Sequence, residues 1–170
     1  KTIKKNNSIL IIGNGASAIN DKYGSLIDSF ELIARINNFK IMGYEEFLGS
    51  KIDYWINGAN SKLIKRNNIP PNIIVLLPSS EITRKNNNLI THVSNRLQLN
   101  QTQFEILPLN EIQEFEKQLN YHRLTTGLYA ILWGLKYFKN VTIHGFDFFI
   151  NSKSHYYDSK IISLINKYII

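Results

Sequence analysis

Cysteine does not occur in this sequence of 170 residues. Its absence excludes disulfide bonds, catalytic thiols and thiolate metal sites. Four histidines remain, and no two of them have the close spacing of a zinc-binding pair on a helix: they are His92, His122, His144 and His155. We therefore expect no bound metal ion.

Long apolar runs are also missing. No run approaches the roughly 20 residues that a membrane-spanning helix needs, and residues 1–8 lack the apolar stretch of a signal peptide. Hydrophobic residues nevertheless make up 44% of the sequence and charged residues 19%, a composition typical of a packed globular protein. At this length we expect a single domain over residues 1–170.

The charge is shifted toward the basic side. Lysine and arginine number 20 against 13 aspartate and glutamate residues, which gives a net charge of +7. Such an excess suits an anionic partner: nucleic acid, an acidic membrane surface or a phosphorylated ligand. Because the basic residues are scattered and no RNA-binding motif occurs, we expect no nucleic-acid partner.

Six apolar runs alternate with helix-like stretches. They are typical of strands buried on both faces of a parallel sheet, and they cover residues 8–12, 31–36, 52–56, 72–77, 104–107 and 141–144. Residues 111–119 place Ile112, Phe115 and Leu119 on one helical stripe, whereas residues 127–138 are apolar almost all round and predict a buried helix. This alternation predicts an α/β fold with a mainly parallel sheet flanked by helices.

Residues 79–103 are the most polar part of the sequence. Their composition predicts a surface excursion that holds one short helix. No linker and no internal repeat interrupts the rest of the chain, which agrees with a single domain.

The loop after the first predicted strand, residues 13–17 (GNGAS), is the first candidate for a ligand site. In an open α/β sheet, ligands bind beyond the carboxyl ends of the strands. Two glycines allow a ligand to approach the backbone, and a following helix N-terminus would offer free N–H groups to a phosphate. A dinucleotide site would need a third glycine near Ala18 and an acidic residue after the second strand, where Asn37 stands instead. A tight turn without a ligand is the alternative.

Two further segments carry polar groups at predicted strand or helix ends. Residues 123–127 (RLTTG) open the buried helix with two hydroxyls and a glycine, which suits a phosphate or carboxylate; an ordinary threonine N-cap is the alternative. Asp147 follows the last core strand and could reach a ligand hydroxyl or base. His155 and its two neighbouring tyrosines could donate to a phosphate or form an aromatic surface patch.

In their order and spacing, these segments resemble the motifs of glycosyltransferase family 29, the sialyltransferases. Residues 8–58 resemble the large sialylmotif, residues 123–149 the small sialylmotif and residues 155–158 (HYYD) the short third motif. The sequence around residues 125–127 (TTG) and 145–148 (GFDF) is also similar to that of the bacterial sialyltransferases of family 42. About half of the chain is covered.

The resemblance implies a Rossmann-like glycosyltransferase fold and inverting, metal-independent transfer of sialic acid from CMP-sialic acid to a glycan hydroxyl, with no cofactor beside the donor. His155 would contact the leaving phosphate. The residues implied to bind the nucleotide-sugar are Asn14, Gly15, Ser17, Asn37, Thr125, Thr126, Gly127, Asp147 and Tyr156.

Two departures from the family pattern stand out. Animal members carry a cysteine pair that joins the large and small motifs, and the matching positions here are Ile9 and Phe138. We expect packing to replace that disulfide, as suits the reducing cytoplasm of a bacterium. The family also places a catalytic histidine after the third motif, and none follows His155. Three explanations stay open: an omitted loop near Lys160, a truncated chain, or His155 in the catalytic role.

The expected protein is thus a cytoplasmic enzyme, with peripheral association at the inner membrane left open. Its partners would be a CMP-sugar donor and a glycan acceptor of the lipooligosaccharide or capsule kind. Transfer of another CMP-sugar, such as one related to Kdo, and a non-catalytic nucleotide-binding module are the alternatives.

Overall fold

The structure is a computed structural model that describes residues 5–147. It contains a six-stranded sheet in the order β5-β4-β3-β2-β1-β6, and every neighbouring pair of strands is parallel. The strands are β1 (Lys5–Ile12), β2 (Leu32–Ile36), β3 (Tyr54–Asn57), β4 (Asn72–Val75), β5 (Glu105–Ile106) and β6 (Phe138–His144). The predicted α/β fold with a parallel sheet is therefore confirmed. Its extent as one domain over residues 1–170 stays a prediction.

The strand order places β1 at a turning point. From β1 the chain adds β2 to β5 one after another on one side, and then returns to add β6 on the other side of β1. The carboxyl ends of β1 and β6 are therefore the point where the strand order reverses, which is where open α/β sheets bind ligands.

Helices cover both faces of the sheet. Successive residues of a strand point to opposite faces, so Ile9 and Ile11 join the larger apolar core, and Leu10 and Ile12 join a smaller one. No helix within residues 5–147 is long and apolar enough to cross a membrane. The helices are α1 (Gly24–Asp28), α2 (Glu45–Leu48), α3 (Ser79–Lys85), α4 (Leu89–Leu97), α5 (Leu109–Leu119) and α6 (Thr126–Tyr137).

The polar stretch 79–103 contains two α-helices, α3 and α4, so the prediction of one short helix was wrong. Leu89, Val93 and Leu97 recur every four residues and form an apolar stripe, of which Val93 and Leu97 are buried in the larger core. The many polar residues between them lie on the outer face and obscured this sparse periodicity.

The buried helix α6 packs closely on the sheet. A Cβ atom at Gly134 would lie 2.8 Å from Cδ1 of Ile11, so the glycine allows the helix to approach β1. Beyond it, the ring of Trp133 meets those of Tyr54 and Phe138 edge to face, with centroids 5.3 and 5.2 Å away. Such aromatic pairs add to the stabilisation from burial itself.

The two positions that match the family's cysteine pair, Ile9 and Phe138, are both buried in the larger core. Strand register pairs Ile9 with Val141 and Phe138 with Lys5. Each side chain therefore contributes to apolar packing in a protein that has no cysteine.

The burial of Phe138 gives a test of this core. We expect Phe138→Ala to lower the free energy of unfolding by about 3–5 kcal/mol, because it removes a buried ring and leaves a cavity. Ile90→Ala, at an exposed position of α4, is the control and should change it by less than about 1 kcal/mol. Urea unfolding of both variants measures the difference, and similar losses would contradict the packing described.

Candidate functional site

The loops that follow β1 and β6 are joined by backbone hydrogen bonds at the turning point of the sheet. The N–H of Gly13 donates to the carbonyl of His144 at 2.8 Å, and the N–H of Gly15 donates to the carbonyl of Gly145, also at 2.8 Å. Gly145 has a φ of +69°, a left-handed conformation that glycine adopts without strain. The two loops therefore run side by side at the carboxyl edge.

Asp147 closes the same junction with its side chain. Its carboxylate accepts hydrogen bonds from the N–H of Ala16 at 2.6 Å, from the N–H of Ser17 at 3.3 Å and from the hydroxyl of Ser17. A Cβ atom at Gly15 would lie 2.5 Å from Oδ1 of Asp147. Glycine at position 15 therefore makes room for the carboxylate.

These contacts change the predicted role of the first loop. The N–H groups of Ala16 and Ser17, which we expected to be free for a phosphate, are occupied by Asp147. Hydrogen bonds from the Ser17 hydroxyl and from the backbone N–H groups outweigh burial and lower the pKa of Asp147. The carboxylate thus stays ionised and acts as a cap on the turn at Ala16–Ile19; contact of Asp147 with a nucleoside stays a prediction.

Two asparagines connect this junction to β2 and β3. The side-chain N–H of Asn14 donates to the carbonyl of Ile36 at 2.9 Å. Asn37 has a φ of +48°, which asparagine tolerates better than most residues, and its Oδ1 accepts from the N–H of Gly58 at 3.1 Å. The indole N–H of Trp55 donates to the carbonyl of Asn37 at 2.8 Å. Both asparagines predicted as site residues therefore lie at one edge.

The start of α6 completes the arrangement. Thr125 is the N-cap, and its hydroxyl accepts from the N–H of Leu128 at 3.3 Å, as in the ordinary cap considered for it. A Cβ atom at Gly58 would lie 2.6 Å from Oγ1 of Thr126, and one at Gly127 would lie 3.0 Å from the ring of Phe146. The helix start therefore touches the loops after β3 and β6. Our sequence analysis did not single out Gly58, although a glycine directly after a strand is a signal for such close approach.

A buried carboxylate is connected to the start of α6 by hydrogen bonds. Glu116 of α5 accepts from the Tyr129 hydroxyl at 2.5 Å and from the N–H of Ser79 at 3.0 Å. The Tyr129 hydroxyl in turn accepts from the N–H of Leu124 at 3.3 Å, just before Thr125. Burial, followed by the hydrogen bond to Glu116, raises the pKa of Tyr129. Sequence analysis missed this network. The signal for it is Glu116, a charged residue four positions after Ile112 on the buried face of α5.

Arg35, which belongs to the large motif, serves the scaffold. Its side chain is fully buried and donates to the carbonyls of Leu48 at 2.7 Å and Lys51 at 3.0 Å. Burial lowers the pKa of Arg35 to about 10, so it remains a cation at neutral pH. A positive charge at the end of α2 stabilises the carbonyl groups there.

Two of the predicted site residues and one further histidine have yet to be placed. His155 and Tyr156 lie outside the described residues. His144 is buried, with Nε2 3.0 Å from the carbonyl oxygen of Ala18, so it belongs to the core. Within residues 5–147, no three acidic or histidine side chains are grouped so that they could hold a metal ion.

The edge presents polar groups that suit an anionic ligand. Asn14 and Thr125 are exposed, and Ser17, Asn37 and Thr126 are half-buried. The first turn of a helix has N–H groups without partners in the helix, and its dipole favours negative charge. The start of the 12-residue α6 therefore stays the predicted position for a phosphate.

The cap by Asp147 is testable through stability. We expect Asp147→Asn to lower the free energy of unfolding by about 0.5–2 kcal/mol at neutral pH. Because folding lowers the pKa of Asp147, its contribution is present above about pH 4 and is lost as pH falls through the folded-state value.

Urea unfolding from pH 7 down to pH 2 measures this effect. The difference between the wild type and Asp147→Asn should shrink at acidic pH, whereas Asp21→Asn, at an exposed position, should show little difference at any pH. A pH-independent loss in Asp147→Asn would contradict the ionised cap.

The chain is similar to known glycosyltransferases in sequence. It matches the profile of Glycosyltransferase family 29 (sialyltransferase) over residues 4–168. It is 26% identical to a type 2 lactosamine α-2,3-sialyltransferase of Mus musculus, over 93% of this chain and 56% of that protein. It is 37% identical to a β-1,6-galactosyltransferase of Arabidopsis thaliana over 57 residues, which are 34% of this chain and 14% of that protein. The chain thus spans little more than half the length of the mouse relative.

Solved sialyltransferases share the fold. A mammalian sialyltransferase in complex with Gal-β-1-3GalNAc-ortho-nitrophenol superposes with a TM-score of 0.68 at 18% identity, over 96% of this chain and 69% of that one. The sialyltransferase CstII of Campylobacter jejuni, in complex with CMP-3FNeuAc, superposes with a TM-score of 0.56 at 18% identity, over 94% and 67%. The fold implied by the sequence motifs is confirmed, and the match over residues 4–168 shows that the chain belongs to glycosyltransferase family 29.

Proposed function

We propose that this chain binds a CMP-sugar at its carboxyl edge and transfers sialic acid, with inversion and without a metal ion or cofactor, to a hydroxyl of a glycan. The observation that supports this most directly is the meeting of four strand-end loops with the start of α6 in a member of family 29. Asn14, Asn37 and Thr126 lie at that meeting point.

The chemistry of the site favours the departure of CMP. Transfer breaks the bond between the sugar and the phosphate, and negative charge develops on the leaving phosphate. The dipole of α6 and its first N–H groups would stabilise that added charge more strongly than the single charge that the phosphodiester carries in the ground state. A general base must take the proton of the acceptor hydroxyl, and a histidine suits neutral pH.

The donor sugar and the acceptor belong to the proposal. A sugar related to Kdo is the alternative donor, and the Arabidopsis relative, named a galactosyltransferase, shows that a similar stretch occurs in a protein named for another sugar. The proposed acceptor is a glycan of the lipooligosaccharide or capsule kind, handled in the cytoplasm or at the inner membrane.

A non-catalytic nucleotide-binding module is the second candidate function. It is favoured by a specific observation: within these 170 residues no histidine follows His155, at the place where the family pattern has its base. In this case the edge would bind CMP without transfer.

Incubation with CMP-sialic acid and a panel of oligosaccharides tests these proposals. We expect acceptor-dependent release of CMP, with the same rate in the presence of EDTA, because no carboxylate pair is expected to hold a metal across the phosphates. CMP-Kdo replaces the donor in a parallel series. Calorimetric binding of CMP without any transfer would support the module, and absence of both binding and transfer would contradict both proposals. Activity lost to EDTA and restored by Mn²⁺ would contradict the metal-independent mechanism.

His155 is the candidate for phosphate contact or for the base. We expect His155→Ala to lower turnover by about 10²-fold or more while the protein stays folded. His92→Ala, on α4, is the matched control and should keep wild-type turnover. Initial rates and far-UV circular dichroism of both variants measure the effect. Full activity in His155→Ala would remove both roles from this residue.

A further inference from the structure

The loops after β2 and β3 form a basic and apolar surface next to Asn37. We propose that this surface, the edge patch of Lys40, Met42, Lys62, Ile64 and Lys65, docks on the face of a membrane that contains anionic phospholipid. The patch takes no part in the contacts described above for the sugar-donor site, and its docking does not depend on transferase activity.

The first observation is the exposure of two apolar side chains. Met42 is 87% exposed and Ile64 is 66% exposed, whereas the next most exposed large apolar side chains of the described residues reach 47%. Single exposed apolar residues are common on protein surfaces. The two most exposed side chains of this kind both lie on the loops that follow β2 and β3, which makes the surface of these loops a candidate for interaction.

The second observation is that the two loops are held together. The side chain of Asn38 accepts from the N–H of Ile64 and donates to the carbonyl of Lys62, both at 2.8 Å. The Arg66 guanidinium stacks 3.5 Å above the ring of Phe39 and donates to the Phe39 carbonyl at 2.7 Å. The exposed side chains therefore project from a braced surface.

The third observation is the charge of this surface. Residues 37–44 and 58–72 contain four basic residues and no acidic residue. Within the described part of the chain, none of the three lysines of the edge patch forms an ion pair. Lys40, Ile64 and Lys65 line one shallow cavity of about 380 Å³, so charged and apolar groups alternate within a short distance. Glu45, the nearest carboxylate in sequence, accepts from the N–H of Gly43.

This combination fits a lipid surface better than other anionic partners. Lysines attract anionic headgroups, and apolar side chains beside them enter the boundary between headgroups and acyl chains. A polynucleotide would engage the lysines and leave Met42 and Ile64 in water. Because Asn38 of the braced loops directly follows Asn37, docking would hold the carboxyl edge close to the headgroups. On the proposed transferase function, this position favours a glycan acceptor that is attached to lipid.

Vesicle sedimentation of the full chain tests the docking. We expect the protein to pellet with vesicles of phosphatidylcholine and phosphatidylglycerol, to stay in solution with phosphatidylcholine alone, and to be released by salt. Lys40→Gln/Lys65→Gln should weaken binding by more than about tenfold. Met42→Ser/Ile64→Ser should weaken it by a similar factor. The matched controls, Lys117→Gln/Lys139→Gln and Ile90→Ser, alter exposed positions elsewhere and should bind like the wild type.

Several results would overturn the proposal. These are no binding to the anionic vesicles, equal losses in the control variants, or stronger competition by polynucleotide than by anionic lipid. A lower melting temperature of Met42→Ser/Ile64→Ser would show that another part of the chain covers the patch, and self-association that these substitutions abolish would assign it to a second copy. Sedimentation needs neither donor nor acceptor, so an inactive chain can dock and an active chain can fail to dock.

Discussion

The hydrogen bonds between the loops that follow β1 and β6 fix the geometry of the carboxyl edge. Asp147 and Ala16 are 131 residues apart in the sequence, yet they are hydrogen-bonded at 2.6 Å. Closing so long a loop costs conformational entropy, and the backbone bonds of Gly13 and Gly15 to the β6 loop help to offset it. Because these groups approach so closely, side chains larger than hydrogen at positions 13 and 15 would displace the opposite loop. Gly13 and Gly15 therefore have a structural role in the contact between the two loops, whether or not a ligand binds there.

The other loops depend on this junction through short polar contacts. Asn14 links the loop after β1 to the end of β2 by a hydrogen bond, and Asn37 links the end of β2 to Gly58 after β3 in the same way. Thr126 touches Gly58 in turn. An asparagine in such a position both orders the loops and presents polar atoms to a ligand. Substituting it would therefore change ligand affinity and loop geometry together, and the unfolding free energy must be measured to separate them.

The strands could be predicted from sequence because their signal is local. Ile9 to Ile12 form a continuous apolar run, and both of its faces are buried as expected. Residues 79–103 were predicted to hold one helix where two occur, because apolar residues such as Leu89, Val93 and Leu97 are sparse among polar ones. The partner of Asp147 could not be predicted from spacing, since any of several polar loops at the same edge could have received its carboxylate. Motif resemblance singled out segments that the fold brings together at the carboxyl edge, and only the folded chain shows which of their atoms are already paired.

The basic residues near the carboxyl edge fall into two groups: arginines that donate to main-chain carbonyls, and exposed lysines. Arg35 and Arg66 lie close to the site, but their guanidinium groups donate to main-chain carbonyls and both lie over the ring of Phe39. Within the described residues, these two cations are thus committed to the scaffold. A phosphate at the edge would be met by backbone dipoles and amides, which are fixed before the ligand arrives and need no reorganisation. Lys40 and Lys65 are exposed instead, so a broad anionic surface can contact their charges.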